Sequence, residues 1–410
     1  MKLLKAKDPF TVYIYTSFLS EFLFTFVFTV NLLYHVQVVK LDPFQLVLVG
    51  TVLELTVFLF EIPTGVVADL KSRKLSIIIG YFLIGAGFII EGMFPFFMAV
   101  ILSQILWGLG YTFTSGAKQA WIADEIGEEK ASLAFLKGAK AENLGKFIAI
   151  PLSIVVGYFM VNLPIIIGGV SMIGLAVLLP FFMKEEHFKP AATEERVSTW
   201  NHLRDSLKKI LYYSRASFLL RILFLIALLF GLYSEGFDRL WMSHFIEAAD
   251  LSILTDAQLV LFMGALQFIV VVLSFAVLHY MSKSLGIQQQ KSIYVSLFIG
   301  SSFIIGSLVG FAFSSTIVSL LIFYVIVQVS RQSMYPLTDI WLNRLIVDSG
   351  TRATFFSVKG QVDAIGQISG GPMIGMIASK FMIKTALIIS AVLLAPVLYL
   401  YNIVLKKDRE

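Results

Sequence analysis

Charged side chains stand inside long apolar runs of this 410-residue chain: Glu21, Glu54, Glu61, Glu235, Asp238, Arg331 and Asp363. An ionised, unpaired side chain in such surroundings costs several kcal/mol, so each must hold a proton, find a partner or face a watery cavity. The chemistry this permits is reversible proton binding and recognition of charged solutes. Glu21, near the middle of its run, suits a proton carrier better than a structural hydrogen bond. Glu54 and Glu61 are seven apart and share a helix face. Glu54 is the deeper, able to bind protons or cationic solutes. Glu235 and Arg239 sit at i,i+4 and can neutralise one another, which leaves Asp238 to face a cavity. Lys359 with Asp363, and Glu142 with Lys146, have the same spacing. Arg331 is an isolated cation, and either an anion site or a pair with Asp363 fits it.

The elements that position these groups follow from composition. The chain is 58% hydrophobic and 14% charged, against about 45–50% and about 25% for soluble domains. Its apolar runs are continuous and about 20 residues long, the length of a helix crossing a bilayer, and lack the short alternation of barrel strands. The expected spans are 10–36, 44–69, 75–94, 96–118, 138–161, 164–183, 217–241, 257–281, 291–313, 316–340, 357–379 and 383–404. Lys and Arg crowd the segments on one side, which puts both termini in the cytoplasm and explains the net charge of +5 without nucleic acid. Cysteine is absent and the five His make no metal-binding pair. No nucleotide-binding loop and no Ser/His/Asp set is present. Neither enzyme chemistry, nor a metal, nor a cofactor is therefore expected.

A polar break from Lys184 to Arg215 divides the spans six and six, giving bundles at 1–183 and 217–410 joined by a linker at 184–216. The linker's second half reads as an amphipathic helix suited to the membrane surface or to packing on protein. An internal repeat supports the division. Pro151 and Pro372 are 372 − 151 = 221 apart, and the same offset relates Gly145 to Gly366 and Glu142 to Asp363. Trp121 and Trp341 match at 220, and Ser20-Glu21 and Ser234-Glu235 more weakly at 214. Two repeated halves with a site near the midplane are a transporter architecture.

The stretch Glu61-Ile62-Pro63-Thr64-Gly65 ends one span, with Pro63 able to bend it and Gly65 to admit a neighbour. A tight turn follows with Asp69, Arg73 and Lys74. The order Gly65, Ala68, Asp69, Arg73, Lys74 resembles the loop signature of the major facilitator superfamily of transporters. Ser72 stands where that family usually has Gly. In span four, Gln104, Trp107, Gly108 and Gly110 resemble its second motif, with Gln104 in the place of an Arg. The stripe Gly366, Gly370, Gly371, Pro372, Gly375 in span eleven is similar to the Gly-Pro pattern that the family's antiporters carry in span five. Small residues there permit close helix packing and the Pro a hinge.

The resemblance implies an all-α integral membrane fold of about twelve helices in two pseudo-symmetric six-helix bundles. It implies a cytoplasmic latch of Asp69, Arg73 and Lys74, with Arg73 reaching Asp124 and with Glu61 and Gly65 beside it. Glu-x-Pro-Thr-Gly, Glu-Gly-Phe-Asp-Arg and Gln-Val-Asp-Ala-Ile-Gly look like a bacterial macrolide- or tetracycline-efflux branch. The implied function is proton-coupled export of amphipathic small molecules by a monomer in the plasma membrane. Its partners would be the small-molecule substrate, protons and the lipid bilayer. A transporter of one metabolite or siderophore is the alternative, and a non-transporting receptor or scaffold a third.

Overall fold

The computed structural model describes residues 8–188, 190, 208, 212, 217–284, 289–346 and 352–407. All of its regular elements are helices. They are α1 (Pro9–Leu33), α2 (Pro43–Leu70), α3 (Arg73–Met93), α4 (Phe97–Thr114), α5 (Ala117–Ile126), α6 (Glu128–Phe159) and α7 (Leu163–Phe182). The second half has α8 (Phe218–Ala248), α9 (Asp256–Ser284), α10 (Gln290–Phe313), α11 (Ile317–Leu345), α12 (Arg352–Lys380), α13 (Ile383–Leu394) and α14 (Pro396–Lys407). Ten stretches among the described residues are long and apolar enough to cross a membrane. Helices α6 and α12 reach 32 and 29 residues but are more polar. With these two, the twelve expected spans are all helical.

Local sequence explains the helix ends. Asp8 caps α1, its carboxylate accepting from Thr11 N at 3.2 Å, with Pro9 pre-set for the first turn. Ser72 caps α3 through Leu75 N at 2.9 Å. The expected fourth span breaks into α4 and α5 at Gly116, whose φ of +71° is left-handed. Gly127, at φ +82°, then starts α6 ten residues before the expected span, with Glu128 and Glu129 in the favourable first turn. The last span breaks before Pro396, which cannot donate to the preceding turn. Past Leu33, α1 runs on as a π-helical turn, Tyr34–Val38. The amphipathic helix expected in the linker lies almost wholly outside the described residues.

Two compact units result. The first gathers the described residues within Met1–Lys40, Val52–Leu203 and Thr255–Gly264, and the second those within Leu41–Thr51, Arg204–Leu254 and Ala265–Glu410. In the first, α1 packs on α6, and α3 on α4 and α7; in the second, α8 packs on α12, and α10 on α11 and α13. In lipid, burial of apolar surface does not drive helices together, so close backbone approach at small residues carries the packing. A Cβ on Gly145 would lie 2.8 Å from Phe18 O, and one on Gly366 2.4 Å from Leu228 O. Gly370 is tighter still, with Leu232 O at 2.2 Å. Gly366 and Gly370 of the span-eleven stripe thus pack on α8, while Gly371 and Gly375 lie against Phe44, Val47 and Thr51 of α2.

These contacts also correct the repeat. Gly145 meets Phe18 and Phe22 where Gly366 meets Leu228 and Leu232, an offset of 228 − 18 = 210 between α1 and α8. The Ser20-Glu21 match to Ser234-Glu235 at 214 is therefore displaced by about one helical turn. Glu21 and Glu235 do not hold equivalent places.

Candidate functional site

The second unit encloses a cavity of about 320 Å³ walled by α8, α11 and α12. Its lining falls at steps of four residues: Phe230, Ser234 and Asp238 on α8, Arg331 and Tyr335 on α11, Lys359, Asp363 and Gln367 on α12. That spacing puts each set on one helix face. Ile226, Met334 and Phe356 add apolar wall. Pro336 lies inside the continuous α11 here and, having no N–H, cannot donate to the Gln332 carbonyl.

Asp238 and Arg331 form a two-pronged pair. Arg331 Nη1 donates to Asp238 Oδ1, and Nη2 to Oδ2 at 2.7 Å. The guanidinium also lies 5.8 Å from the Tyr233 ring and 6.0 Å from the Phe237 ring, within cation–π range. Arg331 thus pairs with Asp238, not with Asp363 as one sequence reading had it, and Asp238 is not left free. Lys359 turns from Asp363 to Asp339, at 2.6 Å. Asp363 accepts from Gln367 Nε2 at 2.8 Å and makes no ion pair among the described residues. It is the cavity acid whose charge no neighbour cancels directly.

Glu235 is elsewhere. It is buried, bonded to Arg239 Nε at 2.8 Å, and absent from the cavity wall. Its Oε1 lies 1.3 Å from where a Cβ on Gly50 would be. Thr51 Oγ1 likewise occupies the space beside Gly371. The expected pairing of Glu235 with Arg239 is present, but it packs against the start of α2.

In the first unit the α2–α3 turn is tied by named contacts. Arg73 Nη1 meets Asp124 Oδ2 at 2.6 Å, while Asp69 stands farther off at 3.9 Å. Lys74 Nζ donates to Pro180 O at 3.1 Å, at the end of α7. Glu185, which sequence reasoning passed over, accepts from Ser72 Oγ at 2.5 Å and from Lys74 N at 2.9 Å. A carboxylate there complements the positive end of α3. The Ser in place of the family's Gly thus both caps α3 and holds Glu185. Glu125 accepts from the backbone N–H of Glu186 and His187, at 2.8 and 2.9 Å, which fastens the end of the first half to α5.

Other expectations shift. Glu61 is exposed, and no heavy atom lies within 4 Å of a Cβ placed on Gly65, so Gly65 admits no close neighbour. Pro63 sits within an unbroken α2, where the Thr64 hydroxyl donates to Phe60 O at 2.8 Å. Glu21 pairs with Lys146 at 3.3 Å, and Glu142 with Lys118 at 3.2 Å, instead of Glu142 with Lys146. Glu54 is half-buried on α2. Sequence reasoning missed the buried pair of Glu91 and His35, 2.7 Å apart. Its available signal was a carboxylate inside the apolar span at 75–94.

Comparison with known proteins agrees with this architecture. The family model described as Major Facilitator Superfamily matches residues 14–349. YxaM of Bacillus subtilis (strain 168), described as an uncharacterized MFS-type transporter, is 26% identical over 379 residues, 90% of each chain. In fold the chain is similar to the nucleoside transporter NupG, with TM-score 0.75 at 15% identity over 97% of this chain and 99% of that one. It is similar also to the peptide transporter POT, with TM-score 0.75 at 16% identity over 99% and 97%. At those identities the likeness is one of fold alone. With its helices, its α2–α3 turn and a family match over most of its length, the chain belongs to the Major Facilitator Superfamily and is a multi-pass membrane transporter of that kind.

Proposed function

We propose that the protein is a proton-coupled secondary transporter that exports amphipathic small molecules from the cytoplasm of a bacterial cell by alternating access. The observation that carries the reading is the cavity holding the Asp238–Arg331 pair. A charge pair inside a membrane protein is a poor source of stability, because desolvation offsets most of its attraction. It has a use where a charged solute can compete for one partner. Phe230, Tyr335 and Phe356 offer rings to the apolar part of such a solute, and Asp363 offers a carboxylate to its cationic part. Glu21 and Glu54 are the further acids assigned to protons or substrate in the first unit. Arg73–Asp124, with Asp69, Lys74 and Glu61, is assigned as the cytoplasmic latch.

A second reading, transport of one defined polar metabolite, draws on Arg331 and Lys359 in the same wall, since both can hold an anionic group. A panel of lipophilic cations, uncharged lipophiles and organic anions, tested for uptake into inside-out vesicles, separates the two. The first reading expects several cations to move and Asp363→Asn to slow them selectively. Uptake confined to a single anion would refute it.

A further inference from the structure

Glu91, on the last turn of α3, and His35, in the π-helical turn that ends α1, are both fully buried. The Glu91 carboxylate is surrounded. Its Oε1 contacts Asn31 Nδ2 at 2.5 Å and His35 Nε2 at 2.7 Å. Its Oε2 accepts from the Ser103 hydroxyl at 2.6 Å and from Gln104 Nε2 at 3.3 Å. The Gln104 oxygen accepts from Trp107 Nε1 at 3.0 Å, which orients that amide with its nitrogen toward Glu91. The Tyr34 hydroxyl donates to the Glu91 backbone carbonyl at 2.6 Å. Thus the position where the family carries a cation holds an uncharged amide bonded to this acid.

Charge balance gives the pair its character. A carboxylate beside an imidazolium, or a carboxylic acid beside a neutral imidazole, carries no net charge and holds one proton. The two forms interconvert by moving that proton between Oε1 and Nε2. The other imidazole nitrogen, Nδ1, is buried with no hydrogen-bond partner among the described residues. One nitrogen of the ring is held and the other is a buried polar atom left unsatisfied. The ring also sits in a π-helical turn, a rare backbone form that is frequent at functional sites.

The other groups facing Glu91 do not compete for this role. Tyr34 is the further titratable side chain from α1. Helix α4 presents Ser103, Gln104 and Trp107. From the α7 side, Asn162 Nδ2 donates to Gly92 O at 2.8 Å, and Ile165 and Ile166 pack about Gly92. Among the described residues, no Lys or Arg forms an ion pair with Glu91.

We propose that Glu91 and His35 are a one-proton site of the first unit, closed in this structure, which exchanges the coupling proton when the π-helical end of α1 separates from α3. This rests on the proton-coupled reading above. None of its residues lines the cavity of the second unit.

The test has two arms on full-length protein. Infrared difference spectra between acid and alkaline pH, in lipid nanodiscs, read proton binding directly. The wild type should show a carboxyl change that Glu91→Gln removes and that His35→Gln shifts in pH. Glu91→Asp, which keeps an acid, should retain it and guards against a folding defect. Spectra of Glu91→Gln identical to wild type would overturn the proposal. In the second arm, ethidium uptake into inside-out vesicles is driven by an imposed pH gradient. Loss of uptake in Glu91→Gln supports the proposal, and wild-type uptake in that variant overturns it. If wild-type uptake ignores a protonophore, the coupled reading fails, while the infrared arm still decides whether the pair binds a proton.

Discussion

Arg331 on α11 grips both oxygens of Asp238 on α8, although Asp363 lines the same cavity. The guanidinium fork matches a carboxylate that can accept both of its N–H groups, and its cation–π neighbours Tyr233 and Phe237 are also on α8. Removing one partner of a fully buried pair costs roughly 3–5 kcal/mol. The Asp238 side chain keeps 37% exposure, so Asp238→Asn should cost less, about 2 kcal/mol. Arg331→Gln with Asp238→Asn should recover most of that stability in a detergent melt yet leave transport absent. Full transport by the double variant would show that the pair has only a structural role.

Gly50 is a steric requirement of the second unit. An Ala there would drive its Cβ onto Glu235 Oε1 and within 2.5 Å of Arg239 Nε. Glu235 is buried and already bonded, so the clash should cost at least the roughly 1–3 kcal/mol of an overpacked core. Glu235→Ala in the same chain should recover part of the loss. Unchanged thermal unfolding of Gly50→Ala would contradict this packing.

Two other glycines should behave oppositely. Gly370→Ala meets the Leu232 backbone at 2.2 Å, which cannot yield as a side-chain tip can. It should destabilise α8 against α12 and lower the melting temperature. Gly65→Ala meets nothing within 4 Å and replaces a poor helix former, a gain of up to about 1 kcal/mol. Melting temperatures of the purified variants decide the contrast.

How far the chain could be read from its sequence depended on whether a signal was local. Hydropathy located the twelve helices, and the resemblance of the turn to the superfamily's loop signature implied the pairing of Arg73 with Asp124. The i,i+4 rule found Glu235 with Arg239, because both ends lie on one helix. The same rule paired Lys359 with Asp363 and Glu142 with Lys146, where partners on other helices prevail: Asp339, Lys118 and Glu21. An i,i+4 pair is worth only about 0.3–0.5 kcal/mol, so a better-placed acid across a helix interface wins. Periodicity carries no information on the rotation that brings two helices face to face. The pairing of Glu91 with His35, 56 residues apart, could not be read for that reason, although Glu91 itself stands out as a carboxylate in an apolar span. Nor could the role of Glu185 as a cap for α3, which depends on where α7 ends.

The α2–α3 turn should act on transport more than on stability. Arg73 and Asp124 are partly exposed, at 19% and 29% of their side chains, so their pair is worth about 1 kcal/mol or less. Arg73→Ala and Asp124→Asn should therefore melt within a few degrees of wild type while slowing uptake. Exchanging the charges, Arg73→Asp with Asp124→Arg, should restore part of the rate. Equal rates in all four proteins would remove the turn from the transport cycle.

Proton coupling, in which a pH gradient drives solute through this protein, underlies the roles proposed for the cavity, the turn and the Glu91–His35 pair. Ethidium uptake into inside-out vesicles carrying the wild-type chain, with an imposed pH gradient, tests it most directly. A proton-coupled transporter should show uptake that collapses when a protonophore is added. Uptake that continues unchanged with the protonophore present would contradict that coupling.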